Sequence, residues 1–132
     1  MYKEFSYKIR IYYEDTDYAG VVYYANYLKF AERARTEMIR ELGFDQSELA
    51  VSNNLFFIVK KVSVDYKSSC SLDDEIVVKT NILKINGASI LLEQQIFLDD
   101  KLITDIDVLI VSVNDKNRIV KLPEIIKKGL LL

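Results

Sequence analysis

Side chains able to do chemistry crowd into one short stretch, Glu14-Asp15-Thr16-Asp17, followed by Gly20 and the apolar run Val21-Val22-Tyr23-Tyr24-Ala25. Carboxylates at this density can supply a nucleophile or a general base, and the glycine gives the backbone freedom to bend around them. The chain has no histidine and a single cysteine, Cys70. Ser-His-Asp and Cys-His pairs, the usual zinc sites and histidine acid–base chemistry are therefore excluded. An enzyme of this composition works with Asp, Glu, Tyr, Lys or backbone amides. The bland alternative for Asp17 is a turn residue, because Asp side chains readily bond nearby amides.

Something must hold that stretch in place, and 132 residues suffice for one domain spanning 1–132 with a real core. Half the residues are hydrophobic and 29% are charged, the composition of a globular chain. A net charge of −2 argues against nucleic acid as the main partner. One cysteine permits no internal disulfide, which fits a reducing, cytoplasmic setting. The opening MYKEFSYKIR alternates and carries charge, unlike a signal peptide, and no apolar run is long enough for a membrane span.

Phe5, Tyr7, Ile9, Ile11 and Tyr13 alternate with polar neighbours and predict a strand with one buried face ending at the acidic loop. Asn26 is placed to cap a helix whose apolar face is Tyr27, Phe30, Ala31, Ala34, Met38 and Leu42. Gly43 suits its C-terminal stop, and the helix should span roughly 25 Å. Ala31 and Ala34 predict close approach to a sheet. Asp45 to Ala50 suggest a further helical turn. Arg33 and Arg35 can pair with Glu32 and Glu37 or reach a phosphate. Four strands then follow as a meander: 55–66, 75–85, 88–98 and 102–113. Asn86-Gly87 and Asp99-Asp100-Lys101 mark their turns, and Pro123 begins a short last helix. The expected class is α+β, one long central helix packed on a five-stranded antiparallel sheet. Long β-rich edges predict a homodimer or homotetramer.

Tyr12-Tyr13-Glu14-Asp15-Thr16-Asp17, Gly20-Val21-Val22-Tyr23, Ala25-Asn26-Tyr27 and Glu32-Arg33-Ala34-Arg35 together resemble the hot-dog-fold acyl-CoA thioesterases. The likeness is to the 4-hydroxybenzoyl-CoA thioesterase type and, within it, the YbgC-like branch. It extends over nearly the whole domain and implies a hot-dog fold. It implies an acyl-CoA substrate, or an acyl-carrier-protein thioester, with coenzyme A as part of the substrate rather than a cofactor. It also implies active sites at a dimer interface. By the same resemblance Asp17 is the catalytic carboxylate, as nucleophile or as activator of water, and Tyr13 belongs to the site. Tyr24 stands where the branch commonly has histidine, and a phenol is a poor base at neutral pH.

The resemblance places a polarising backbone N–H within Phe56 to Val59. Around the substrate it implies Gly20, Val21, Val22 and Tyr23 on one wall and Phe57, Ile58, Val59 and Lys60 on the other. Lys60, Lys61 and Lys67 are either a solvated edge or a site for coenzyme A phosphates. Thioester hydrolysis needs a nucleophile or base and oxyanion donors, and a carboxylate can serve as either without histidine, so the composition agrees independently. A dehydratase on a carrier protein, which pairs a histidine with an acid, does not fit. A non-catalytic acyl-CoA or carrier-protein binding module is the remaining alternative.

Overall fold

The computed structural model describes all residues, Met1 to Leu132. Strand β1 (Glu4–Arg10) leads through a 3-10 turn (Tyr13–Asp15) to the long helix α1 (Asn26–Glu41) and the shorter α2 (Gln46–Asn53). Strands β2 (Phe56–Tyr66), β3 (Glu75–Asn86), β4 (Ser89–Leu98) and β5 (Lys101–Val113) follow, then α3 (Glu124–Leu130). The five strands form one antiparallel sheet in the order β1-β3-β4-β5-β2.

The expected four-strand meander is therefore wrong in one respect. Only β3, β4 and β5 form hairpins, while β2 lies at the far edge, running from Phe56 opposite Val113 to Tyr66 opposite Thr104. The segment between β2 and β3 is the reason, because it crosses the sheet instead of turning back. Lys67 and Ser68 donate backbone bonds to the Ile103 carbonyl at its start, Val22 donates to Cys70, and Asp73 donates to Ile11 at its end. The first strand also stops sooner than its alternation suggests. β1 ends at Arg10, Ile11 is fully buried, and Tyr13 is 81% exposed on the 3-10 turn instead of completing the core face.

Helix α1 buries Tyr27, Phe30, Ala31, Ala34, Met38 and Ile39. Small side chains at 31 and 34 allow close approach: the buried Gln94 of β4 reaches the helix backbone, its Nε2 donating to the Ala31 carbonyl at 2.9 Å. Against that face lie Ile76, Val78, Ile90, Leu92, Ile96, Ile106 and Val108, members of one continuous core. Phe30 is fully buried at its centre. Phe30→Ala should cost about 3–5 kcal/mol, read as a lowered urea midpoint with unchanged slope.

The two ends of α1 differ. At the C-terminus Gly43 adopts φ +96°, a left-handed stop that a side chain would strain; its N–H bonds Arg40 and that of Phe44 bonds Ile39. At the N-terminus the expected Asn26 cap does not form. Asn26 is the first helical residue, Ala25 holds the cap position, and the Asn26 side chain is turned to the acidic loop. The helix charges also pair differently from expectation. Glu37 takes Arg40, and Glu32 accepts from Thr36. Arg33 lies over the Phe30 ring, and Arg35 reaches Gln94.

Candidate active site

The acidic loop is a tight structure with its own internal bonding. Asp15 is buried, and its Oδ2 accepts the Tyr12 N–H at 2.8 Å. Its backbone carbonyl accepts both the Tyr23 N–H at 3.0 Å and Asn26 Nδ2 at 2.8 Å. One residue thus ties the end of the first strand to the start of α1. Beyond it the chain folds back on itself: Thr16 bridges Val22, Asp17 N–H donates to the Val21 carbonyl, and Gly20 N–H donates to the Asp17 carbonyl. Gly20 turns at φ +86°, where a β-carbon would be strained.

Asp17 sits at the tip of this hairpin, exposed. Its Oδ1 accepts the Ala19 N–H at 2.9 Å, while Oδ2 has no partner in the protein. One oxygen of the carboxylate thus shapes the turn, and the other is free. Glu14 is exposed and makes no side-chain bond, and Asp15 is occupied structurally.

The adjoining helix end supplies donors. With Asn26 diverted to Asp15, no side chain caps α1, and the backbone N–H groups of Tyr24 and Ala25 find no acceptor in the protein. An uncapped helix N-terminus presents N–H groups and a partial positive charge to an anion. Sequence reasoning missed these donors because Asn26 has the residue type of a cap.

Val22 is buried and seals the loop onto the core, whereas Tyr23 and Tyr24 are exposed with ring centroids 4.9 Å apart. Tyr24 meets the edge of Tyr66 at 5.9 Å. The Tyr23 phenol is pushed above its ordinary value by the adjacent Tyr24. Behind them Tyr27 is buried, its hydroxyl 3.4 Å from Cys70 Sγ and accepting the Cys70 N–H at 3.3 Å. Burial pushes the Cys70 thiol up, and Cys70 is only 2% exposed. Cys70 should therefore resist a disulfide reagent in the native protein at pH 8 and react at once on unfolding, which a spectrophotometric thiol titration with and without denaturant will read.

The second group of expected substrate residues lies elsewhere. Phe57, Ile58 and Val59 of β2 join Arg35, Met38, Ile39 and Ile110 around a pocket of about 120 Å³ under the middle of α1, a pocket that does not include Asp17. Lys60 is outside it: the register skips from Val59–Ile110 to Lys61–Leu109, and Lys60 is the extra, exposed residue of that bulge. Lys60 and Lys61 are exposed, and Lys67 is paired with Asp65 at 3.0 Å. On β4 and β5, Glu93, Asp105 and Asp107 bring carboxylate oxygens within 4.8 Å of one another. Burial, then the two aspartates, pushes the Glu93 carboxyl up.

A long helix laid on a five-stranded antiparallel sheet, with an acidic hairpin at the helix's N-terminus, is the architecture of the hot-dog thioesterase class. Residues 12–130 match the model of the Thioesterase-like superfamily, and the chain belongs to that family. It is 43% identical over 110 residues to the acyl-CoA thioesterase YbgC of Haemophilus influenzae, covering 83% of this chain and 81% of that one. It is 40% identical over 111 residues to the acyl-CoA thioester hydrolase YbgC of Escherichia coli, covering 83% and 82%. Among solved structures, a protein described as a probable thioesterase from Bartonella henselae superimposes with a TM-score of 0.89 at 32% identity, over 92% of this chain and 100% of that chain.

Proposed function

We propose that this protein hydrolyses acyl-CoA thioesters and that Asp17 is its catalytic carboxylate. The observation that carries the reading is the pairing, at one loop–helix junction, of an unspent Asp17 oxygen with two unspent amides. The relatives named as acyl-CoA thioesterases support the substrate class.

The acyl carbonyl lies with its oxygen toward the Tyr24 and Ala25 N–H groups. Asp17 attacks the carbonyl carbon, or takes a proton from the water that does. Negative charge grows on the carbonyl oxygen as the tetrahedral intermediate forms, and the helix N-terminus stabilises it. Collapse breaks the C–S bond, the thiolate leaves and is protonated, and the products are a free acid and coenzyme A. In the direct-attack route water then cleaves the aspartyl anhydride and regenerates Asp17. Tyr13, Tyr23 and Tyr24 line the approach with Gly20 and Val21, whereas Val22, expected beside the substrate, is buried and braces the loop from behind. Tyr24 contributes its backbone rather than an acid–base side chain. No cofactor takes part.

The working unit is a homodimer or a tetramer built from it. Strand β2 is an unpaired edge, with Phe56, Ile58, Val59, Val62 and Tyr66 each about 40–47% exposed. A row of free backbone groups flanked by apolar side chains is a template for pairing with a second copy. Such pairing joins the loop of one protomer to the β2 wall of another.

The test is release of free thiol from a panel of acyl-CoA and acyl-carrier-protein thioesters by the purified protein. Release from at least one acyl-CoA, lost in Asp17→Asn, is expected. Tight binding with negligible release from every thioester would replace this reading with a binding module.

A further inference from the structure

Arg35 is the one cation of α1 directed inward. Its side chain is half-buried and lines the pocket formed with Met38, Ile39, Phe57 and Ile110. Only one of its five N–H donors is used within the protein, on Gln94 Oε1 at 2.9 Å. Gln94 is itself fully buried and cannot turn away. Its amide is fixed by the Ala31 carbonyl at 2.9 Å and Thr80 Oγ1 at 3.0 Å. The guanidinium is thus held in a set position. None of the protein's ion pairs involves it, and the nearby Glu32 is engaged by Thr36. Burial pulls its affinity for the proton below the ordinary value, with Glu32 opposing only in part. A cation against apolar walls without a carboxylate partner is costly, and such groups are found paired. The rest of this fork, by contrast, faces a pocket of about 120 Å³ whose walls also carry Glu32 and Gln46, and it donates a hydrogen bond to neither.

We propose that this pocket receives the far end of the acyl group and that Arg35 selects acyl chains ending in a carboxylate, as in the thioesters of dicarboxylic acids. This inference rests on the thioesterase reading given above. The planar fork suits a carboxylate, and the apolar walls suit the methylene chain leading to it.

The experiment compares kcat/KM for length-matched pairs of acyl-CoAs, one ending in a carboxylate and one in a methyl group, over a series of lengths. Wild type, Arg35→Met and Arg35→Lys are assayed together, with thermal melts and sedimentation of each. At the preferred length wild type should favour the carboxylate-ended ester. Arg35→Met should lower that ratio by ~10-fold or more, the scale of a lost charge-assisted bond, and Arg35→Lys should keep part of it. Equal or better cleavage of methyl-ended esters by wild type at every length overturns the proposal. So does an unchanged ratio in Arg35→Met, and so does an effect confined to sedimentation, which would assign the free fork to a carboxylate of a second copy. If wild type cleaves no acyl-CoA at all, the thioesterase reading fails instead. Calorimetric binding of a carboxylate-ended acyl-CoA to wild type and Arg35→Met then decides the pocket's role separately, with Arg35-dependent binding supporting it and equal binding overturning it.

Discussion

Asp17→Asn should lower kcat for thioester hydrolysis by about 10³-fold, the middle of the range for loss of a positioned general base. KM should move little, because the change removes an interaction made only as the carbonyl is attacked. Asparagine is the informative replacement. Its amide oxygen can still accept the Ala19 N–H that Asp17 Oδ1 accepts at 2.9 Å, so the turn before Gly20 is kept. What is lost is the negative charge on the oxygen that has no partner. If Asp17 were only a turn residue, Asp17→Asn would retain near-full activity and Asp17→Ala would lose stability instead. A fall in kcat with an unchanged melting temperature supports catalysis; an unchanged kcat sinks it. Because Cys70 is buried beside Tyr27, a thiol-detecting assay reads released coenzyme A without a background from the protein.

The acidic loop and the class of fold were legible in the residues for physical reasons. Turn-forming carboxylates followed by Gly20 and a 3.6-period helix leave few alternatives, and the absence of histidine removes histidine-based chemistry from consideration. Position of β2 was not legible. Its apolar, partly alternating pattern is compatible with a place beside β3 or beside β5. Only the crossing segment, anchored on Ile103, Val22 and Ile11, decides between them. Asn26 misled for a related reason. Its type suits a cap, but an Asp15 carbonyl eleven residues earlier competes for the same side chain and wins, which leaves the helix amides open. Tyr13 was misread as core because alternation was carried past the point where the backbone turns. Arg35 was expected to pair with a neighbouring glutamate or to reach a phosphate. Its burial depends on Gln94, a residue 59 positions away that no local pattern connects to it.

Breaking the proposed β2–β2 pairing should remove most activity without touching the loop. Val62→Lys combined with Ser63→Lys extends Lys60-Lys61 into four consecutive cations on the edge strand. In an edge-to-edge dimer each run faces the same run of the other copy, and like charges across a strand pair repel. The protomer itself tolerates the change. Val62 is 42% exposed, and Ser63 lies opposite Asp107 of β5, so the new lysine at 63 has a carboxylate within its own sheet. The expected outcome is a folded monomer in sedimentation with specific activity reduced ~100-fold or more, since a site assembled from two chains loses its positioning when they part. Wild-type specific activity should likewise fall on dilution, as mass action requires of a shared site. The reason to expect so large an effect lies in the single chain. Asp17 and the free amides stand at the N-terminus of α1, whereas the apolar pocket with Phe57, Ile58 and Val59 lies under its middle. A fully active monomer would show that one chain closes the distance alone, and the β2 edge would then need another explanation.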